Sequence, residues 1–129
     1  MRWIIDGNNV FGSRPDGWWN DRPAAQHRLA QQVAEWCRTH DDRVILVFDA
    51  PLSDATAVLS GGNLAIVESS RRGRDAADHE IVELVGRHDA TAEEITVVTS
   101  DRGLRARLPD HVTVWGTGRF RDVIGERGD

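Results

Sequence analysis

The 129-residue chain contains no lysine; all 16 of its basic side chains are arginine. That absence removes every mechanism needing an ε-amino group, including a Walker-type phosphate loop, a lysine Schiff base and the lysine of a receiver domain. Cysteine is nearly absent too, and the lone Cys37 can build neither an internal disulfide nor a thiolate metal cluster. Nor is there an excess of positive charge. The formal net charge is −5, spread evenly over the two halves, so any polyanion must be gripped by local arginine clusters rather than drawn in by an overall field. No apolar run approaches a membrane span, no repeat or low-complexity segment occurs, and the stretch Met1 to Asp6 lacks the apolar core of a signal peptide. These features predict a cytoplasmic protein without a membrane partner. The length and the 40% hydrophobic content predict one domain over residues 1–129.

What is present is an alternation. Trp3 to Ile5, Val44 to Phe48, Leu64 to Val67, Ile95 to Val98 and Val112 to Trp115 are short apolar runs rich in β-branched residues. Such runs suit strands buried on both faces, as in a parallel sheet covered by helices. Between them, Asp21-Arg22-Pro23 reads as a helix start, followed by Leu29, Val33, Trp36 and Cys37 on one stripe. Asp75 to Val85 places Ile81, Val82 and Val85 at helical spacing; Arg102 to Leu108 reads as a short helix stopped by Pro109, and Phe120 to Ile124 as a last helical turn. Residues 52–63 match no pattern. The order predicts a three-layer α/β/α domain with a central, mostly parallel sheet.

Three aspartates stand at predicted strand ends: Asp6, Asp49 and Asp101. In an open parallel sheet those ends share the edge where ligands bind. Asp78 lies one turn before Ile81 and Val82 on the inward stripe of its helix, near the same edge, so four carboxylates are expected to converge. Like charges packed together at neutral pH need protons or cations between them. At least one acid should therefore titrate high in metal-free protein, and neutralising Asp101 should relieve the repulsion. The oxygen-only donor set favours a hard octahedral ion, Mg2+ or Mn2+, and two such ions suit phosphodiester hydrolysis by water. The plainer reading is that each aspartate only caps a helix or starts a turn. Four acids aimed at one edge favour the site.

Trp3-Ile-Ile-Asp-Gly-Asn-Asn-Val-Phe-Gly-Ser, Val47-Phe-Asp, Gly73-Arg-Asp-Ala-Ala-Asp-His-Glu-Ile and Val98-Thr-Ser-Asp-Arg together resemble the NYN branch of the PIN-like nucleases, close to the YacP-like proteins. The resemblance implies a PIN-like fold and magnesium- or manganese-dependent cleavage of RNA. It matches Asp6, Asp49, Asp78 and Asp101 to the family's acidic site, and Asn8 to the polar residue that often follows the first acid. Two departures stand out. Many PIN domains carry a glutamate on the first helix, whereas here only Glu35 is available, near that helix's far end, so Asp49 must stand in. Some relatives have a second acid directly after the Asp78 position, where this chain has His79, about 100° round the helix. Asp75 reads as a helix cap or an outer carboxylate.

Arginines surround these acids: Arg71, Arg72 and Arg74 before the Asp78 helix, Arg102 and Arg105 after Asp101, and Arg119 and Arg121 near the end. Guanidinium forks match phosphate oxygens, so the run from Arg71 to Arg74 and Arg102 are the candidate backbone grips, against the alternative of solvated surface charge. Arg14 to Trp19 is a polar loop carrying paired indoles, of which Trp18 is the candidate to stack on an unpaired base; the alternative is a lid folded over the first helix. The sequence thus predicts a metal-dependent endoribonuclease acting on single-stranded or structured RNA, with the ribosome as a candidate partner. Two rivals stay open: a silent PIN-like module that only binds RNA or a ribosome, and a phosphohydrolase for a small ester. The intact acid set speaks against the first, and the missing Gly-x-Gly-x-x-Gly loop against the second.

Overall fold

The structure, a computed structural model, describes residues 1–69, 76–89 and 94–125. Each predicted strand forms: β1 (Arg2–Asp6), β2 (Arg43–Phe48), β3 (Leu64–Glu68), β4 (Ile95–Val98) and β5 (Thr113–Trp115). They build one sheet in the order β3-β2-β1-β4-β5 with every pairing parallel. Side chains alternate across it as the pleat requires. Trp3, Ile5, Leu46, Phe48 and Val98 face one layer of helices, while Ile4, Ile45, Val47, Ile95 and Val97 face the other. Both faces are thus dry, which explains why the strand sequences are continuously apolar.

Among the described residues the helices are α1 (Gly7–Phe11), α2 (Arg22–Cys37), α3 (Asp54–Ala57), α4 (Ala76–Asp89), α5 (Arg102–Ala106) and α6 (Thr117–Val123), with a 3-10 turn at Trp18–Asn20. Helix α2 starts where the sequence predicts, with Asp21 Oδ1 accepting from the Ala24 amide at 3.1 Å and Pro23 in the first turn. It packs Ala25, Leu29, Ala30, Val33 and Cys37 on the first face, and burial pushes the Cys37 thiol up to about 11, so it acts as a small apolar residue. Helices α4 and α5 cover the second face through Ala77, Ile81, Leu84, Val85 and Leu104. The unassigned stretch 52–63 holds α3, capped by the Ser53 hydroxyl, and a tight Gly61 to Leu64 bridge. Helix α5 ends at Ala106, two residues before the expected Leu108, and α6 begins three residues before Phe120. No helix among the described residues is long and apolar enough to cross a membrane.

The strand order fixes where a ligand can sit. From β1 the chain moves outward to β2 and β3, then returns through α4 to β4 on the opposite side of β1. The crevice at the C-terminal ends of β1 and β4 is therefore the topological switch point of the sheet.

Arg121, expected at the acidic centre, is instead buried at 5% exposure. Its Nε donates to Ser13 Oγ at 2.9 Å and its Nη2 to the Val10 carbonyl at 2.6 Å, fastening α6 to the end of α1. It is a structural cation, not a phosphate grip. Arg121→Ala is expected to lower stability by about 2–3 kcal/mol in urea denaturation, because buried acceptors lose charged donors. A loss within experimental error would show that these bonds contribute nothing net.

Candidate active site

The switch-point crevice is a cleft of about 220 Å³ lined by Asp6, Asn8, Asn9, Asp49, Ala77, Asp78 and Asp101. All four predicted acids therefore meet in one place, brought from β1, the end of β2, the first turn of α4 and the end of β4. Asp6 is the last residue of β1, 4% exposed, and accepts a hydrogen bond from Thr99 Oγ1 at 3.1 Å. Asp49 Oδ1 accepts from the Ala77 amide at 3.0 Å, and Asp101 Oδ1 from the Leu104 amide at 3.0 Å. Two of the four are thus helix caps after all, and the cap and the cleft are the same residues. A carboxylate held by one oxygen at a helix N-terminus keeps its second oxygen in fixed orientation, with the positive end of the helix offsetting its charge.

Asn8 has a definite place. Its Oδ1 accepts from the Asp49 backbone amide at 2.9 Å, so it positions the second acid and closes the gap between β1 and β2. Asn9 performs the same service on the other side, accepting from the Ser100 amide at 2.7 Å, with Thr99 Oγ1 3.3 Å away. Thr99 Oγ1 also accepts from the Asp101 amide at 3.1 Å. The strand-end pattern of acids does not point to Asn9, Thr99 or Ser100. The doubled asparagine after Asp6 and the Thr-Ser before Asp101 are the signals that could find them, because short polar side chains at strand ends bond to neighbouring backbone.

The electrostatic burden falls on Asp6. Burial, then the Asp78 carboxylate, then more weakly Asp49, push its pKa from 3.8 to about 7, against the Thr99 hydroxyl and the Asn9 backbone N–H, which lower it. Asp78 is the strongest charge acting on Asp6, so neutralising Asp78 relieves Asp6 directly. Among the described residues no three His, Cys, Asp or Glu side chains are arranged to hold one metal ion. The oxygen-only lining instead suits an ion that contacts one or two carboxylates and keeps water as its other ligands.

The remaining candidates separate. Arg102 is exposed on the first turn of α5, directly after Asp101. Arg71, Arg72, Arg74 and Asp75 lie outside the described residues. Trp18 is half-buried against the core edge with its ring 5.7 Å from that of Phe11, while Trp19 is 55% exposed. His79 lies beside Asp78 but contacts Arg107 Nη2 through Nδ1 at 3.1 Å, at the surface.

A five-stranded parallel sheet between helical layers, with acids gathered at its switch point, is the α/β fold of the PIN-like nucleases. Residues 3–116 match the YacP-like NYN domain, and the chain belongs to that family. Among solved structures it is similar to Rae1 (YacP) from Bacillus subtilis, with TM-score 0.73 and 24% identity over 98% of this chain and 76% of that one. The W164L mutant of the same protein gives TM-score 0.70 and 25% identity, covering 98% and 77%. The T5 D15 protein co-crystallised with metal ions shares the fold at TM-score 0.60 and 11% identity, covering 92% of this chain and 55% of that one. No curated protein matches the chain. Membership of the YacP-like NYN family supports a nuclease activity.

Proposed function

We propose that the chain is a single-domain, divalent-metal-dependent endoribonuclease of the cytoplasm, cutting single-stranded or structured RNA, with the ribosome as a candidate platform. The observation that carries this reading is the convergence of Asp6, Asp49, Asp78 and Asp101, from four separate elements, on one cleft. Capping accounts for the local placement of Asp49 and Asp101 but not for their meeting with Asp6 and Asp78, because like charges gathered in one crevice repel in a metal-free fold. In this reading all four are the metal-holding residues, and Mg2+ or Mn2+, when bound, supplies an activated water and charge neutralisation at the leaving oxygen. The co-crystallisation of the T5 D15 protein with metal ions supports a divalent cation on this fold.

The chain's own residues set up the rest. Asp49 and Asp101 are held by Oδ1 on the N-termini of α4 and α5, which leaves Oδ2 for the cleft. Asn8 holds the Asp49 backbone and lines the cleft, and its side-chain N–H group is assigned to a phosphate oxygen. Arg102, with Arg71, Arg72 and Arg74, is assigned to the RNA backbone because guanidinium forks pair with phosphate. Trp18, half-buried beside Phe11, is assigned a base-stacking contact.

End-labelled RNA incubated with the protein in Mn2+ or Mg2+ should be cut internally, with no cut in EDTA and a weaker one on DNA of the same sequence. Cleavage by metal-stripped protein would end the mechanism. Binding of RNA without cleavage in either metal would instead select the silent binding module.

A further inference from the structure

Beside the acidic cleft, and sharing Asn8 and Asp49 with it, runs a groove of about 280 Å³ walled by Phe11, Pro23, Ala50 and Pro51. Away from Asn8, Asp49 and the rim residue Arg22, its polar group is Gln26, on the inward face of α2. The other inward residues of that helix are Ala25, Leu29, Ala30, Val33 and Cys37, all apolar. Gln26 is 5% exposed, yet among the described residues its Oε1 has no hydrogen-bond partner, and Nε2 reaches the Pro51 carbonyl at 3.5 Å. A buried acceptor without a donor costs about 1–3 kcal/mol. A hydrophobic residue would pack there without that penalty, and such an unexplained breach of local rules is characteristic of binding sites.

We infer that this groove is a slot for one unpaired nucleobase of the strand whose phosphate occupies the acidic cleft, and that the Gln26 carboxamide reads the base edge. The inference rests on the nuclease reading for the position of the strand. The flat apolar walls suit a base face, and the volume is near the lower bound of small-molecule sites, enough for a single base. A carboxamide offers an acceptor and a donor side by side, matching the paired donor and acceptor atoms on a base edge. Its one long contact leaves it free to turn toward an entering base, whose N–H supplies the missing partner of Oε1. Exposed Arg22, 5.9 Å from the Trp18 ring, stands at the rim, where it meets the sugar-phosphate side of the same nucleotide.

The test uses the four nucleoside monophosphates and baseless ribose phosphate as probes, in magnesium, with isotope-labelled protein followed by NMR. None contains a phosphodiester, so the readout is independent of cleavage. The nucleotides are expected to shift the Gln26 side-chain amide and the Phe11 ring, and ribose phosphate is not. Gln26→Leu should weaken at least one nucleotide by about tenfold, the size of one lost hydrogen bond, and leave ribose phosphate unchanged. Its melting temperature should equal or exceed that of wild type; Gln26→Met, unbranched at Cβ and Cγ like glutamine, serves if leucine misfolds. Equal shifts with ribose phosphate, no shifts at all, or wild-type affinity of the variants for all four nucleotides would each overturn the slot. RNA cutting with no nucleotide effect defeats the slot alone; nucleotide binding without RNA cutting defeats the nuclease reading alone.

Discussion

Asp6→Asn is expected to abolish metal-dependent RNA cleavage and, in EDTA at pH 8, to make the protein more stable than wild type. The two effects have one cause. With its carboxyl raised from 3.8 to about 7, folded Asp6 keeps its proton through a range where the unfolded chain has released it. The folded state therefore binds more protons than the unfolded state between those values, and its stability falls as pH rises through that window. The shift corresponds to a penalty on the order of 4 kcal/mol above pH 7 and none below pH 4. Asparagine carries no such penalty and can still accept from Thr99. The stability difference between variant and wild type, measured by denaturant titration in EDTA, should widen steadily from pH 4 to pH 8. Asp78→Asn should give a smaller gain in the same direction, because it removes the strongest charge acting on Asp6. A difference that stays constant across the range would show that Asp6 is ionised like an ordinary surface acid. Full cleavage by either variant would remove its residue from the site.

Gly7→Ala is expected to be the most destabilising single-methyl change near the cleft. A Cβ on Gly7 would lie 2.5 Å and 2.6 Å from Phe48 ring carbons and 2.8 Å from the Val47 carbonyl. Phe48 is fully buried, and the carbonyl belongs to a strand of the sheet, so neither side can yield cheaply. The expected loss is about 3 kcal/mol, roughly 10 °C in melting temperature for a domain of this size. Urea titration should show a lower midpoint at unchanged slope. A shift of only a degree or two would mean that α1 can lift away from β2, and the spacing of Asp6 from Asp49 would then not be set by this contact.

Much of the fold and of the acidic cleft is legible in the amino-acid sequence. Continuous runs such as Val44 to Phe48 announce strands buried on both faces, and Asp21 with Pro23 announces the start of α2, because these signals are local. Helix α1 is not legible: Gly-Asn-Asn follows the strand with no linker, and its composition is that of a turn. Gln26 sits among apolar stripe residues, but whether such a residue turns inward, and what it then lacks, depends on Pro51 from a distant loop. Trp18 and Arg121 are similar cases, for an indole on a loop or an arginine near the end gives no sign of the partner that will cover it.

By itself, the sequence determined which segments become strands and that an acid ends three of them, because strand length and termination depend on residues within a few positions. It equally excluded lysine chemistry and thiolate metal sites by what it omits. Only the tertiary structure decided that β1 lies between β2 and β4, which puts Asp6 at the switch point and brings Thr99 to it across 93 residues. It also decided that Asp49 caps a helix 28 residues away and that burial beside Asp78 raises the pKa of Asp6. The physical reason is that pairing order and burial arise from contacts between distant segments, and the proton affinity of a carboxyl follows from the water and the charges those contacts leave around it.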